Sequence, residues 1–321
     1  MNLQAADYPK SDHYDGKHFF NPGTKEEHGF FDFLKWKFGG DVKAWPETVA
    51  NINHPLPGLE APTKGLFTFI NHATFLVRIQ GLTFLTDPVF SQRVSPVSFA
   101  GPKRVREPGV NLENLPPVDV VMISHNHYDH MDLASLKAVD AKFHPLFLVP
   151  LGDEKRLKEA GIQNVVELDW WQEIKVKDAT ITFTRVQHWS NRGLFDKFKS
   201  LWGGYMVSTP NIKFYFAGDT GYSNHFKETF SKLGAPDVAL LPIGAYEPRW
   251  FMKLHHINPE ESVQAHLDLN ARISLPMHFG TFQLTNEGYD DPVMGLKKAL
   301  KKLKVEEDKY PVLDQGQTFT L

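Results

Sequence analysis

The sequence predicts an α/β fold, strands and helices layered into one large domain behind an N-terminal extension. Short strand-like runs alternate with helix-period stretches over most of the chain. At 321 residues and 41% hydrophobic content it can bury a sizeable single core. Residues of metal-binding type recur just past the ends of strand-like runs, where loops at one end of a sheet would bring them together.

In chain order, the strand-like runs are 66–70, 74–79, 82–86, 118–123, 146–149, 180–186, 213–217, 237–243 and 273–277, rich in β-branched, aromatic and leucine side chains. Helix-like stretches lie around 132–140, where Leu133, Leu136 and Val139 keep helical spacing, and around 153–160, 259–269 and 293–304. In the last, Val293, Leu296, Leu300 and Leu303 share one face while Lys297, Lys298, Lys301, Lys302 and Lys304 lie largely elsewhere, which reads as a solvated surface helix. An anionic membrane surface is the lesser reading of that basic face. Sequence pattern alone does not separate parallel from antiparallel pairing.

Residues 1–60 differ in character from 61–321. They hold the aromatic cluster HGFFDFLKWKFGG and then the Pro/Asn-rich stretch NINHPLPGLEAP, which reads as a linker. Phe30, Phe31, Phe33, Leu34, Trp36 and Phe38 are too dense to be left in water, so the expectation is packing on the domain or on a homodimer partner, ahead of peripheral membrane contact.

The run SHNHYDHMD places His125, His127, Asp129 and His130 within six residues, on a loop between the apolar run Val118 to Ile123 and the helix that follows. In this spacing His125 and His127 point at one metal while Asp129 and His130 turn toward a second. Imidazole and carboxylate donors without thiolate suit Zn²⁺, and Mn²⁺ or Fe²⁺ are accepted by the same set. The bland reading is a polar capped turn with Asp129 or Asp132 as helix N-cap. Three further candidates, His188, Asp219 and His278, close the runs TITFTRVQH, KFYFAGD and ARISLPMH. Singly, each is more readily a hydrogen-bonded histidine or a turn aspartate. Together the seven read as one site.

Asp87, after TFLT, can accept the free N–H of a ligand imidazole and fix its tautomer, with an Asp-Pro turn as the equal alternative. His72 can orient a ligand or make a structural bond near a strand start. Tyr128 and His256 are candidates to touch substrate oxygen or protonate a leaving alkoxide. Arg249 and Lys253 can assist phosphate recognition or serve structure.

These residues carry a resemblance. SHNHYDHMD, QHW (187–189), AGDTGY (217–222) and PMHFGTF (276–282) are similar to the metallo-β-lactamase superfamily. NHATFLV, LTDPVFSQRVSPVSFAGPKR, VVELDWWQE, LWG and PIGAYEPRWFMK narrow it, over about residues 66–288, to the N-acylphosphatidylethanolamine-hydrolysing phospholipase D family. One departure is His255 in KLHHIN, where animal members carry glutamine. The resemblance implies an αββα sandwich, with His125, His127 and His188 on one zinc, Asp129, His130 and His278 on the other, and Asp219 bridging. It also implies cleavage of N-acylphosphatidylethanolamine-like lipids to phosphatidic acid and N-acylethanolamine. A lactone or ester hydrolase of the same fold is the alternative, because the same metal-activated water attacks a carbonyl. A second alternative is a non-catalytic, metal-bound protein peripheral at membranes.

Composition narrows the partners. The 35 Lys+Arg against 38 Asp+Glu give −3 and no basic stripe, which argues against nucleic acid. The absence of cysteine excludes disulfides and thiolate ligands and is compatible with a reducing cytosol. The start MNLQAADYPK has no apolar core of a signal peptide, and no run approaches 18 apolar residues, so a cytoplasmic protein, soluble or peripherally attached, is expected.

Overall fold

The computed structural model describes residues 8–24, 29–58 and 64–321. The expected boundary at residues 60 and 61 lies outside the described residues. One helix, α1 (Phe30–Gly39), precedes the sheets. The first half of the domain contains β1 (Leu66–Asn71), β2 (Thr74–Ile79), β3 (Leu82–Thr86), β4 (Val120–Met122), α2 (Leu133–Phe143), β5 (Leu146–Pro150), α3 (Glu154–Glu159) and β6 (Val165–Leu168). The second contains β7 (Glu173–Val176), β8 (Ala179–Thr184), β9 (Gly204–Ser208), β10 (Lys213–Phe216), α4 (His225–Leu233), β11 (Val238–Pro242), α5 (Arg249–Met252), α6 (Pro259–Asp268), β12 (Ile273–Met277), α7 (Asp291–Leu303) and β13 (Thr318–Thr320).

The strands form two mixed sheets, ordered β13-β1-β2-β3-β4-β5-β6 and β12-β11-β10-β9-β8-β7. Each combines an antiparallel meander with parallel strands: β1 to β3 followed by β4 and β5, and β8 to β10 followed by β11 and β12. Phe67, Phe75, Val77 and Phe84 of one sheet share a single core with Phe183, Tyr205 and Phe214 of the other. Phe67 meets Phe214 edge-on at 5.8 Å; burying one such side chain is worth roughly 1.5–3 kcal/mol. On the far face of the first sheet, Leu76, Leu85 and Val121 pack under Leu136 and Val139 of α2 and Leu157 of α3. On the far side of the second, α6 lies against β11 and α7 against α6. The layers run helix, sheet, sheet, helix, as the resemblance implies.

Pattern reading misses β6, β7, β9, β13, α1, α4 and α5. β7 is an edge strand whose alternation, EIKV, spans only four residues, and β9 begins in the glycines of LWGG and shows no alternation, so neither stands out from the pattern. In α7, Leu296 and Leu300 are buried, with Val293 and Leu303 packed beside them, so its apolar stripe is spent on the core.

The N-terminal residues reach the heart of the domain. Tyr14 and Phe19 are buried in the main core. The indole of Trp170 donates to the Trp202 carbonyl, the indole of Trp202 donates to Asn21 Oδ1, and Asn21 Nδ2 donates to the His188 carbonyl at 2.8 Å. Two of the aromatic motifs thus tie the N-terminal segment to the loop that carries His188. Trp36 of α1 stacks on Phe251 and donates to Asn286, whereas Phe31 is 83% exposed. The side chains of Phe30, Phe33 and Phe38 lie outside the described residues.

His13 fastens this segment through both ring nitrogens, 2.6 Å from Asp12 and 2.7 Å from Asp169, with its ring against Trp170. Burial alone would lower its pKa, but Asp169 and Asp12 raise it above the ordinary value of 6.5. A raised histidine contributes stability that is fully present below the unfolded value and fades as pH rises through the folded one. Thermal stability is therefore expected to decline above about pH 6.5 by an amount that His13→Ala removes; parallel pH profiles for the two proteins would sink this reading.

No helix among the described residues is long and apolar enough to cross a membrane.

Candidate metal centre

The site lies where strands end. The loop after β4 carries His125 to His130, and the carbonyl of His127 accepts the N–H groups of His130 (3.1 Å) and Met131 (2.8 Å), closing a tight turn before α2. Asp132 is the N-cap of α2, accepting from Ala134 N, so the capped-turn reading holds for that residue. His188 follows β8, Asp219 follows β10, and His278 follows β12. Three of the site residues hold left-handed backbone that non-glycine residues seldom adopt: His72 (φ 45°), Asp87 (φ 30°) and His278 (φ 62°). Such strain costs about 1–3 kcal/mol each and is held by surrounding bonds. His278 N donates to the His72 carbonyl (2.7 Å), His72 N to Thr281 Oγ1 (3.0 Å), and Asp87 N to the Met122 carbonyl (3.0 Å).

All seven predicted ligands come together, and all are buried except His127 and Asp129, which are half-buried. His125 Nε2 lies 2.8 Å from His127 Nδ1, and His188 Nε2 lies 3.3 Å from that same atom. Asp129 Oδ2 lies 3.4 Å from His130 Nε2 and 3.3 Å from His278 Nε2. Asp219 Oδ2 stands between the two groups, 3.0 Å from His130, 3.2 Å from His278, and 3.9 Å from both His125 and His188. Around a tetrahedral ion bonded at about 2.0–2.2 Å, ligand atoms sit roughly 3.3–3.6 Å apart, close to these separations.

Tautomers give a second test. The Nδ1 of His188 faces the His255 carbonyl at 2.8 Å, and a carbonyl only accepts, so the proton is on Nδ1 and the Nε2 lone pair points inward. The Nδ1 of His130 faces Asp87 Oδ2 at 2.7 Å, so its Nε2 is aimed at the carboxylates of Asp129 and Asp219. Lone pairs and carboxylates converging in a buried space call for a cation between them. His127 Nε2, His130 Nε2 and Asp219 Oδ1 have no hydrogen-bond partner. The donor set fits a metal ion.

The electrostatics agree. Burial pushes Asp129 and Asp219 up, but the surrounding histidines, His130 foremost, hold both well below the usual carboxylate range. Burial pushes His278 down, yet Asp219 and Asp129 carry it up to about 9, and the same carboxylates raise His130. Burial holds His127 and His256 down at about 4 and lowers His125 and His188.

A family model described as a beta-lactamase superfamily domain matches residues 83–279. The chain is 42% identical, over 80% of its length and 76% of the relative's, to N-acyl-phosphatidylethanolamine-hydrolyzing phospholipase D 1 of Caenorhabditis elegans. It is 40% identical to the Saccharomyces cerevisiae mitochondrial enzyme of that name, over 66% of this chain and 47% of the yeast protein. The chain belongs to the N-acylphosphatidylethanolamine-hydrolysing phospholipase D family of the beta-lactamase superfamily. A metallo hydrolase of Ignicoccus hospitalis shares the fold, with a TM-score of 0.62 at 23% identity over 80% of this chain and 98% of the archaeal one. A relative from Methanopyrus kandleri, 28% identical over 78% of this chain and 98% of its own length, is named a metal-dependent hydrolase.

In this phospholipase D family member the remaining candidates fall as follows. Asp87 is fully buried and its Oδ2 also accepts from Ser124 Oγ at 2.6 Å. His72 Nε2 lies 3.0 Å from Asp129 Oδ2. His256 Nδ1 stands 3.8 Å from Asp219 Oδ2. Tyr128 points its hydroxyl at the Arg192 carbonyl (2.8 Å). His255 serves through its carbonyl, which holds His188. Arg249 is structural here: its guanidinium donates to the His256 carbonyl (2.8 Å) and to Glu261 (2.7 Å), while Lys253 is exposed. Ser124 and Asn21 carry no signal in the sequence, because each acts through tertiary neighbours that no local pattern announces.

The Asp87 contact yields a prediction. Asp87→Asn keeps an acceptor but loses the charge behind His130, so metal affinity is expected to fall roughly 10–100-fold with the fold intact. Chelator competition checks this; unchanged affinity would remove Asp87 from the metal's support.

Proposed function

We propose that this chain is a dizinc phosphodiesterase of phospholipase D type, cleaving N-acylphosphatidylethanolamine-like lipids to phosphatidic acid and N-acylethanolamine. The position of Asp219 carries the reading, a single carboxylate oxygen within 3.0–3.9 Å of ring nitrogens from both ligand groups. His125, His127 and His188 would hold one zinc, and Asp129, His130 and His278 the other, with Asp219 shared between them. Mn²⁺ or Fe²⁺ suits the same donors. Bound there, the metal pair supplies Lewis acidity that lowers the pKa of water toward about 7 and offsets charge on phosphoryl oxygens.

The chain's own residues orient and protonate. Asp87 fixes the His130 tautomer, and His72 bonds Asp129 Oδ2 and holds that carboxylate toward His278. His256, kept neutral by burial, carries one N–H for a substrate oxygen or the departing alkoxide. On the His255 side of the site a cavity of about 400 Å³ combines the apolar walls of Phe19, Phe20, Phe198 and Leu254 with polar groups that include Asp15, His18 and Lys197, a berth that would take an acyl chain along its apolar side. In this reading 1–60 is an extension to the hydrolase domain 61–321, and residues 15–24 within it form one wall of that cavity.

The test is product analysis by mass spectrometry with zinc-loaded protein, offering N-acylphosphatidylethanolamine, phosphatidylcholine and an acyl lactone. Phosphatidic acid with N-acylethanolamine is the expected outcome. Lactone opening without lipid cleavage would place the chain among ester hydrolases, and no turnover with metal bound would favour a binding protein.

A further inference from the structure

Two loops at the rim of the metal site end in apolar tips that the structure braces outward. The first runs from Arg93 to Lys103, which face each other as an antiparallel bridge, and the Arg93 guanidinium bonds the Gly101 carbonyl. Between them Val97 is 38% and Phe99 82% exposed. The second is a turn clamped by Asp196, whose Oδ1 accepts the N–H groups of Arg192 (2.9 Å) and Gly193 (2.6 Å). That clamp presents Leu194 and Phe195 at 92% and 90% exposure.

The second loop is tied to the metal loop. Arg192 donates to the carbonyls of Asn126 and Met131 and lies over the ring of Tyr128 at 4.0 Å. A cleft of about 350 Å³ is lined by Pro96, Val97 and Ser98 of the first loop together with Tyr128 of the metal loop and Arg192 at the base of the second, so the two loops meet beside the metal loop. Trp189, just before the second loop, packs on His127 at 4.7 Å.

Charge completes the pattern. Residues 93–103 contain Arg93 and Lys103 and no acidic residue; residues 192–199 contain Arg192, Lys197 and Lys199 against Asp196. The two segments therefore sum to +4 (five basic minus one acidic) on a chain whose net charge is −3. Asp196 is further neutralised by Arg156 at 3.1 Å, and Asp132, which also lines the cleft, is taken up by Ser91 N, Ala134 N and Ser135 Oγ.

We propose that Val97, Phe99, Leu194 and Phe195, with the cations at their bases, form an interfacial docking surface that seats this side of the domain, next to the metal loop, on an anionic lipid bilayer. Apolar tips enter the acyl boundary while Lys103, Lys197 and Lys199 meet anionic headgroups, Arg192 being turned inward onto the metal loop, and the two contributions act together. The purpose of the surface rests on the phospholipid reading above; its existence is measured without turnover.

The experiment is co-sedimentation of the full chain with vesicles of phosphatidylcholine alone and of an equal mixture with phosphatidylglycerol. It compares the wild type with a triple variant (Phe99→Ser, Leu194→Ser, Phe195→Ser) and a charge variant (Lys103→Glu, Lys199→Glu). Wild type is expected to bind the mixed vesicles at least about tenfold more tightly than either variant, with binding weakened by salt. Circular dichroism and metal content are expected to match in all three. Turnover of a water-soluble phosphodiester is followed alongside. Loss of vesicle binding with that turnover intact supports the surface, and vesicle binding without any turnover sinks the activity while leaving the surface standing. Equal binding by wild type and both variants, or no binding by wild type, overturns the proposal. So does a wild-type dimer that the triple variant converts to monomer without any vesicle binding, since the tips would then cover a second copy.

Discussion

Asp219→Asn is expected to lower kcat/KM by about 10³-fold or more, since the lost charge faces the reacting centre itself, while the fold persists. Oδ2 of Asp219 is the atom that approaches His130, His278, His256, His125 and His188 together, at 3.0, 3.2, 3.8, 3.9 and 3.9 Å. An asparagine of the same shape removes the negative charge that both ligand groups share. It also brings an N–H₂ that, turned toward the bare nitrogen of His188 or His130, competes with a metal for that lone pair. Metal content should fall with activity, and the thermal stabilisation given by added zinc should shrink, because ligand-linked stability follows the free metal concentration over its dissociation constant. The variant retaining full activity with two metals bound would sink the shared-carboxylate role. Losing activity while holding two metals would locate the defect in the chemistry alone.

Gly244→Ala is expected to cost on the order of 10²-fold in kcat, the size of effect that follows a misplacement of about 1 Å in a reacting geometry. Gly244 directly follows Ile243, whose N–H donates to the Met277 carbonyl at the end of β12. A Cβ at position 244 would lie 2.0 Å from the His278 carbonyl oxygen. Backbone meets backbone there, so no side-chain rotation relieves the overlap. His278 must move, and it is already held at φ 62° by its bond to the His72 carbonyl. Loss of activity with native circular dichroism and lowered metal affinity is the expected pattern. Activity within about threefold of wild type would show that backbone approach at this point does not set the ligand, since misplacement normally costs far more.

The two substitutions mark where local sequence stops being informative. Asp219 is legible because AGDTG closes an apolar run, and a carboxylate after a strand is a recognisable donor. Gly244 has the same kind of place, after β11, but its meaning is a distance to a carbonyl 34 residues further along the chain (278 minus 244). Asn21 is more remote still: it joins Trp202 to the backbone of His188 from a segment that reads as an extension. The aromatic motifs DWW and LWG mark the family, yet that Trp170 and Trp202 anchor the N-terminal residues emerges only from the hydrogen bonds.

By itself the sequence determined the α/β layering, the strands that lead into the site, the helices α2, α3, α6 and α7, and the seven histidines and aspartates that meet there. These signals are local: side-chain type, period along the chain, and the chemistry a donor set accepts. Only the tertiary structure decided the parallel and antiparallel order of the two sheets, the edge strand β7 and the glycine-led β9. It also decided which imidazole nitrogen His130 and His188 turn inward, and the diversion of Arg249 and the Tyr128 hydroxyl to structural bonds. The physical reason is that strand order and tautomer are fixed by partners far away in the chain. Asp87 sets His130 and the His255 carbonyl sets His188, and neither relation exists until the sheets have packed.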